Sequence, residues 1–175
     1  SAGNLQKSAS PNIRDVWDDM RQRNVPAIIY AYDGKVPLYF TQDDIGEFLT
    51  CKAAAHTMVA TLLESVNVSP SEIGTFYLAG GFGTHYNLES AITVGLYPDL
   101  PREKFRILGN SSLAGAKRLL LDKGCRARLN RIRALATYVQ FGEMEKFVEN
   151  MQAARFLPHT DASLYPSVKR RSARP

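Results

Sequence analysis

Two short apolar runs, residues 75–79 and 105–108, are each broken at once by glycine and each followed by a helical pattern. This feature constrains the fold more than any other in the chain. A strand that ends in glycine and feeds a helix builds a crossover unit, and consecutive crossovers place strands parallel in a sheet. In such sheets ligands bind beyond the carboxyl ends of the strands. Both glycine breaks, Gly80-Gly81-Phe82-Gly83 and Gly109-Asn110, fall there.

The rest of the chain supplies the flanks. Residues 27–32 and 36–40 are rich in β-branched and aromatic side chains, with Asp33-Gly34 between them. Asp-Gly predicts a hairpin, because glycine takes positive φ cheaply. Pro37 cannot donate a ladder hydrogen bond, so the second strand is an edge or begins there. Thr41 reads as a helix N-cap with Asp44 in capping-box position. Ile45, Phe48, Leu49, Ala53, Val59, Leu62 and Leu63 carry the helical period to about residue 65, a rod of roughly 35 Å. Its small-sided middle, Lys52-Ala53-Ala54-Ala55, allows close approach to the backbone.

Other elements follow the same reasoning. Ile13, Val16, Trp17 and Met20 recur at helical spacing and predict a short amphipathic helix up to Arg23, within a loose segment 1–24. Leu88, Ala91, Ile92 and Leu96 predict another short helix. Ser111 is the expected cap of a helix over 113–123, with Gly124 in the favoured C′ position. Residues 134–141 read as a third strand and 143–154 as an amphipathic helix. From Pro158 the composition turns polar, and 158–175 is expected to be a basic tail. The fold class expected is α/β: a mixed sheet with an antiparallel hairpin edge and parallel strands flanked by helices.

Composition closes off several functions. A length of 175 residues suits one domain with tails, and 45% hydrophobic with 22% charged residues excludes wholesale disorder. No apolar run approaches the roughly 20 residues of a membrane span, and no secretory signal opens the chain. A piece of a longer protein is expected, in the cytoplasm. Two cysteines, Cys51 and Cys125, cannot hold a cysteine-ligated iron–sulfur cluster or a four-cysteine zinc site, and they fit a reducing compartment. Residues 1–122 carry 11 Lys and Arg against 13 Asp and Glu, whereas residues 123–175 carry 11 against 4. The basic surplus, including Lys169, Arg170, Arg171 and Arg174, reads as a solvated tail rather than a nucleic-acid face.

The glycine breaks carry the chemistry. Glycine lets the backbone approach a ligand and adopt conformations closed to other residues. Backbone N–H groups in such a turn suit phosphate or sugar oxygens. An isolated Gly-Gly-x-Gly is more often a plain tight turn, and this one is neither a Walker loop nor G-x-G-x-x-G. The second break, Gly109-Asn110-Ser111-Ser112-Leu113-Ala114-Gly115-Ala116, repeats the theme. Together they form two lips of one crevice. His56, His85 and His159 lack metal-ligand spacing, so no metal site is expected. Cys51, among alanines, is expected to be buried and inert, Cys125 to be a surface thiol. Tyr86-Asn87 is expected to cap or pack, and Asp43, Asp44 and Glu47 to complement a helix dipole.

Four motifs occur in order: Thr41-Gln42-x-Asp44-Ile45, Cys51-Lys52-Ala53-Ala54, Leu78-Ala79-Gly80-Gly81-Phe82-Gly83, and Gly109-Asn110-x-Ser112-x-x-Gly115-Ala116. Over about residues 38–155 this string resembles the C-terminal ATPase region of the reductive activators of corrinoid proteins. These belong to the acetate-kinase, sugar-kinase, Hsp70 and actin superfamily. The resemblance implies a ribonuclease-H-like, actin-like half-domain over 25–157. It implies ATP with Mg²⁺ and an iron–sulfur (2Fe-2S) cluster in the longer protein, the cluster lying outside this chain. It also implies a corrinoid protein of methyl transfer as partner, restored from Co(II) to Co(I) by electron transfer driven by ATP. The implied adenosine lip is Gly80, Gly81, Phe82 and Gly83, and the second glycine break adds Gly109, Asn110 and Ser111 as candidate nucleotide-binding residues. Lys52 either contacts nucleotide or runs its stem along the helix surface. A homodimer is a candidate assembly; nucleic acid and membrane are not expected partners.

The departures from the family pattern are specific. The four clustered cysteines and the Asp-x-Gly-Thr phosphate loops do not occur, and Asp33-Gly34 is followed by Lys35. No catalytic residue is assigned, and this chain alone is expected not to hydrolyse ATP. The alternatives are a degenerate actin-like docking module, or the C-terminal part of a sugar or acyl kinase.

Overall fold

Ile13–Asp18 is an extended strand, β1, where the 13-16-17-20 spacing predicts a helix. It pairs antiparallel with β2 (Arg23–Asp33), Val16 opposite Val25 and Asp18 opposite Arg23. Ile, Val and Trp suit a pleated surface, and a partner strand outweighs local periodicity. The turn between the strands is held by Asp18, whose Oδ1 accepts the N–H groups of Met20 (2.9 Å) and Arg21 (3.0 Å). The computed structural model describes Leu5 and residues 10–168. The basic run Lys169, Arg170, Arg171 and Arg174 lies outside the described residues.

Gly34, at φ +60°, turns β2 into β3 (Val36–Thr41) as the Asp-Gly signal predicts. The strand order is β1-β2-β3, so Pro37 sits on an edge, opposite Tyr32. A register shift between Ile29 and Ala31 lets Tyr30 stack on Phe40 with ring centroids 5.2 Å apart. The chain then enters α1 (Gln42–Ser65) through the predicted capping box. Thr41 Oγ1 accepts the Asp44 N–H (3.1 Å), and the Asp44 carboxylate accepts the Thr41 N–H (2.9 Å). Two orphan amide donors are thereby satisfied. α1 buries Lys52, Ala53, Thr57 and Thr61.

The crossover series is shorter than expected. β4 (Phe76–Ala79) leads into α2 (Gly80–His85) and α3 (Leu88–Thr93), then into β5 (Phe105–Gly109), which lies parallel to β4. Antiparallel and parallel pairing both occur, in two sheets among the described residues: three strands and two strands. The core behind β4 and β5 gathers Leu78, Ile92, Leu100, Phe105 and Tyr165, with Phe76 and Phe105 rings 5.4 Å apart.

Among the described residues three further α-helices follow: α4 (Ser111–Leu121), α5 (Cys125–Leu135) and α6 (Phe147–Ala154). The cap of α4 is Asn110, not Ser111; its side chain accepts the Leu113 N–H at 3.0 Å. Gly124 is not a left-handed C′ residue. It has φ −72° and starts α5, with its N–H on Asp122 Oδ1 (2.8 Å). The third strand expected over 134–141 does not form. α5 runs to Leu135, a short 3₁₀ turn occupies Phe141–Glu143, and among the described residues no strand pairs with the intervening segment. The described part of the expected tail, residues 158–168, is structured. Tyr165 is 3% exposed, and Ser167 donates both its N–H (2.7 Å) and its hydroxyl (2.6 Å) to Asp99.

Candidate functional site

The two glycine breaks meet. Ala79 pairs with Gly109 across the β4–β5 ladder after a register shift, so both strands end side by side. Gly80 (φ +90°) and Gly109 (φ +64°) occupy the left-handed region, where an L side chain is strained. A Cβ built on Gly80, Gly81 or Gly109 would meet nothing within 4 Å. These three positions present bare backbone to open space at the carboxyl edge of the sheet. Gly83 differs. Its Cβ would stand 3.2 Å from Leu78 Cβ and 3.3 Å from the Leu78 carbonyl carbon. It is buried, and it lets α2 pack on β4 rather than lining the opening. Phe82 lies in α2 between them. Asn110 is engaged in capping α4, and Ser111 is the first residue of that helix.

A cavity of about 160 Å³ adjoins the segment just after α2. Phe48 of α1 forms one wall, and Tyr86, Asn87, Ala91, Val94 and Leu96 form the other. Asn87 is held in place by capping α3, its side chain accepting the Ser90 N–H at 2.9 Å. Sequence reasoning placed Phe48 only in the helical period. The available signal was its position one turn before Lys52 on the face that carries the motif. A wider, open groove of about 740 Å³ lies elsewhere, between Arg21, Asp43, Glu47, Cys51 and Arg155. Arg21 is already paired there with Asp18 (2.6 Å) and Asp43 (2.9 Å), and the groove touches neither glycine break.

Lys52 neither reaches a nucleotide cleft nor runs along the surface. It is fully buried, and its ammonium donates to the carbonyl oxygens of Ala154, Phe156 (2.6 Å) and Pro158 (2.5 Å). All three of its protons are taken, and they satisfy carbonyls at the end of α6 that no helix turn follows. Burial pushes its pKa down to about 8. One turn along α1, His56 Nδ1 lies 2.9 Å from the Tyr165 hydroxyl, and its ring is 4.9 Å from that of His159. Burial, then His159 and Lys52, hold the His56 pKa down at about 4. His85 ends α2, exposed. The cysteines exchange their expected places. Cys51 is exposed on α1, and Cys125 is buried with its thiol on Asp122 (3.2 Å).

Among the described residues, no three His, Cys, Asp or Glu side chains converge to hold a metal ion. No helix of the described residues is long and apolar enough to cross a membrane.

Strand-end glycines, crossover helices and a long capped helix define an actin-like α/β fold. Comparison with known proteins agrees. Residues 2–169 match the family model described as "C-terminal domain of RACo the ASKHA domain". This chain belongs to that family. A relative from Eubacterium limosum, the corrinoid activation enzyme RamQ, is 30% identical over 112 residues, which is 64% of this chain and 19% of that protein. A solved structure titled "Reductive activator for corrinoid,iron-sulfur protein" superposes with a TM-score of 0.83 at 32% identity, over 95% of this chain and 26% of that one. The chain thus spans about a fifth of the length of the first relative and about a quarter of the second. The resemblance to the activators' C-terminal region is borne out.

Proposed function

We propose that this chain serves corrinoid activation as the adenosine-facing part of a longer, ATP-dependent reductive activator. In that reading the longer protein passes one electron from an iron–sulfur cluster to a Co(II) corrinoid, giving Co(I), and ATP hydrolysis drives the step. The partner is a corrinoid protein of methyl transfer, and the setting is the cytoplasm. The observation that carries the reading is the paired end of β4 and β5, where Gly80, Gly81 and Gly109 offer backbone to open space. The cavity between Phe48 of α1 and Tyr86, just after α2, offers an apolar wall to a base.

The residues present fit the sugar and base of a nucleotide better than its phosphates. Bare N–H groups at a strand end can hydrogen-bond ribose hydroxyls. Mg²⁺ and the triphosphate require carboxylates and donors that the described residues do not bring together. When bound, Mg²⁺ would neutralise phosphate charge. This chain's own residues would bind and orient the nucleoside end. The iron–sulfur cluster would sit in another domain. The test is titration calorimetry with adenosine and with ATP, alongside optical assay of Co(II) reduction by the longer protein. Adenosine should account for most of this chain's ATP affinity. A chain that binds neither, in a longer protein that reduces Co(II) without ATP, would reject the reading.

A further inference from the structure

Three groups on α1 stand four residues apart and therefore share one helix face: Phe48, Lys52 and His56. Phe48 lines the cavity near α3. Lys52 and His56 instead hold the segment that follows α6. Lys52 fixes its first part through Ala154, Phe156 and Pro158. His56 fixes its later part through Tyr165. The Tyr165 hydroxyl donates to the Gly95 carbonyl oxygen (3.2 Å), so His56 Nδ1 carries the proton that completes the pair. His159 Nδ1 accepts the Asp161 N–H at 3.0 Å.

The same segment touches the far wall of the cavity. Gly95, just beyond α3, has φ +77°, and a Cβ on it would stand 2.2 Å from the Pro158 carbonyl oxygen. Ser167 is held by Asp99 and by Arg102 (3.0 Å), and Arg102 in turn pairs with Glu89 of α3 at 2.7 Å. Tyr165 packs with Ile92 of α3 in the core. One stretch of chain therefore bonds to α1 through both of its ends, at Lys52 and His56, and meets α3 and its flanking loop through Pro158, Tyr165 and Ser167.

We propose that residues 155–168 form a positioning strap: pinned to α1 by Lys52 and His56 and to the loop after α3 by Tyr165, it sets the separation between Phe48 and the residues that line the cavity opposite. Lys52 and Tyr165 are positioning residues. They act on the cavity through α1 and α3 and touch no ligand. The consequence for nucleotide affinity rests on the reading under Proposed function; the geometric consequence does not.

The experiment compares the unmodified chain with Lys52→Met and Tyr165→Phe. The first removes three donors at similar length. The second removes only a hydroxyl and keeps the ring in the core. Native trypsin cleavage after Arg155 reports the strap. The ¹³C-methyl resonances of Ala91 and Val94 report the cavity wall, and adenosine titration reports binding. Both substitutions should speed cleavage after Arg155 and shift both methyl resonances. Adenosine affinity should fall about tenfold, as expected when binding groups are displaced by a fraction of an ångström. Should Lys52→Met fail to fold, Tyr165→Phe decides alone. Faster cleavage with unmoved methyl resonances would overturn the strap's positioning role, and so would unchanged cleavage. An unmodified chain that ignores adenosine would count against the nucleotide reading, and the methyl resonances would still judge the strap.

Discussion

Two glycines in one turn should respond oppositely to substitution, and the structure says by how much. Gly81 is exposed and helical, without positive φ, and its Cβ direction is open. In a helix, valine and glycine differ by only about 0.5 kcal/mol in propensity, so Gly81→Val should leave the fold intact. For a chain of this size that is a melting shift of roughly 2 °C or less. Gly83 faces Leu78 at 3.2 and 3.3 Å. Overpacking there costs about 1–3 kcal/mol. Alanine's helical advantage returns about 0.5–1 kcal/mol of that cost. Gly83→Ala should therefore lower stability by up to about 2 kcal/mol, or roughly 4–8 °C. Scanning calorimetry gives the melts, and titration calorimetry with ATP gives the affinities. Gly81→Val should lose ATP binding while melting cooperatively near the unmodified temperature; Gly83→Ala should bind ATP when cold. Retained affinity in a folded Gly81→Val would reduce the turn to a plain strand-to-helix connection.

Four further outcomes follow. His56 has its pKa lowered from 6.5 to about 4, so the folded state resists its protonation. Stability should be full above pH 6.5 and fall by at most about 3 kcal/mol as pH drops to 4; His56→Gln should flatten that slope in melts against pH. Thr41→Ala removes half of the capping box and should cost about 1 kcal/mol, read as a lower denaturation midpoint. Native thiol titration should label Cys51 at once and Cys125 only on unfolding, since one is exposed and the other buried. This chain alone should release no phosphate from ATP above a buffer blank; steady release that a substitution in the chain abolishes would contradict the assignment of the phosphate machinery to other segments.

Elements held by local chemistry were legible in the sequence. Asp33-Gly34 announces its turn, Thr41 and Asp44 announce their cap, and each glycine announces the end of its strand. Elements that depend on distant partners were not. The spacing of Ile13, Val16 and Trp17 suits a helix, yet β2 offers a ladder and the ladder prevails. Residues 134–141 have strand composition, but no strand among the described residues pairs with them. Within the site, the open glycines were legible because conformational freedom is written into the residue itself. Lys52 was misread because its acceptors are backbone carbonyls, which every sequence possesses and no sequence displays. Cys51 and Cys125 were misplaced for a similar reason: small neighbours do not reveal which helix face is covered.

The Lys52 bonds also impose an order in time. Their acceptors lie 102, 104 and 106 residues downstream. At a synthesis rate of about 5–20 residues per second, α1 leaves the ribosome roughly 5–20 s before Ala154 does. Throughout that interval the lysine must stay hydrated, because burying an unpaired ammonium is prohibitive. The inner face of α1 therefore stays open, and the three-stranded sheet, whose contacts are local, folds ahead of it. A nascent chain interrupted before residue 154 lacks all three acceptors that allow that face to close.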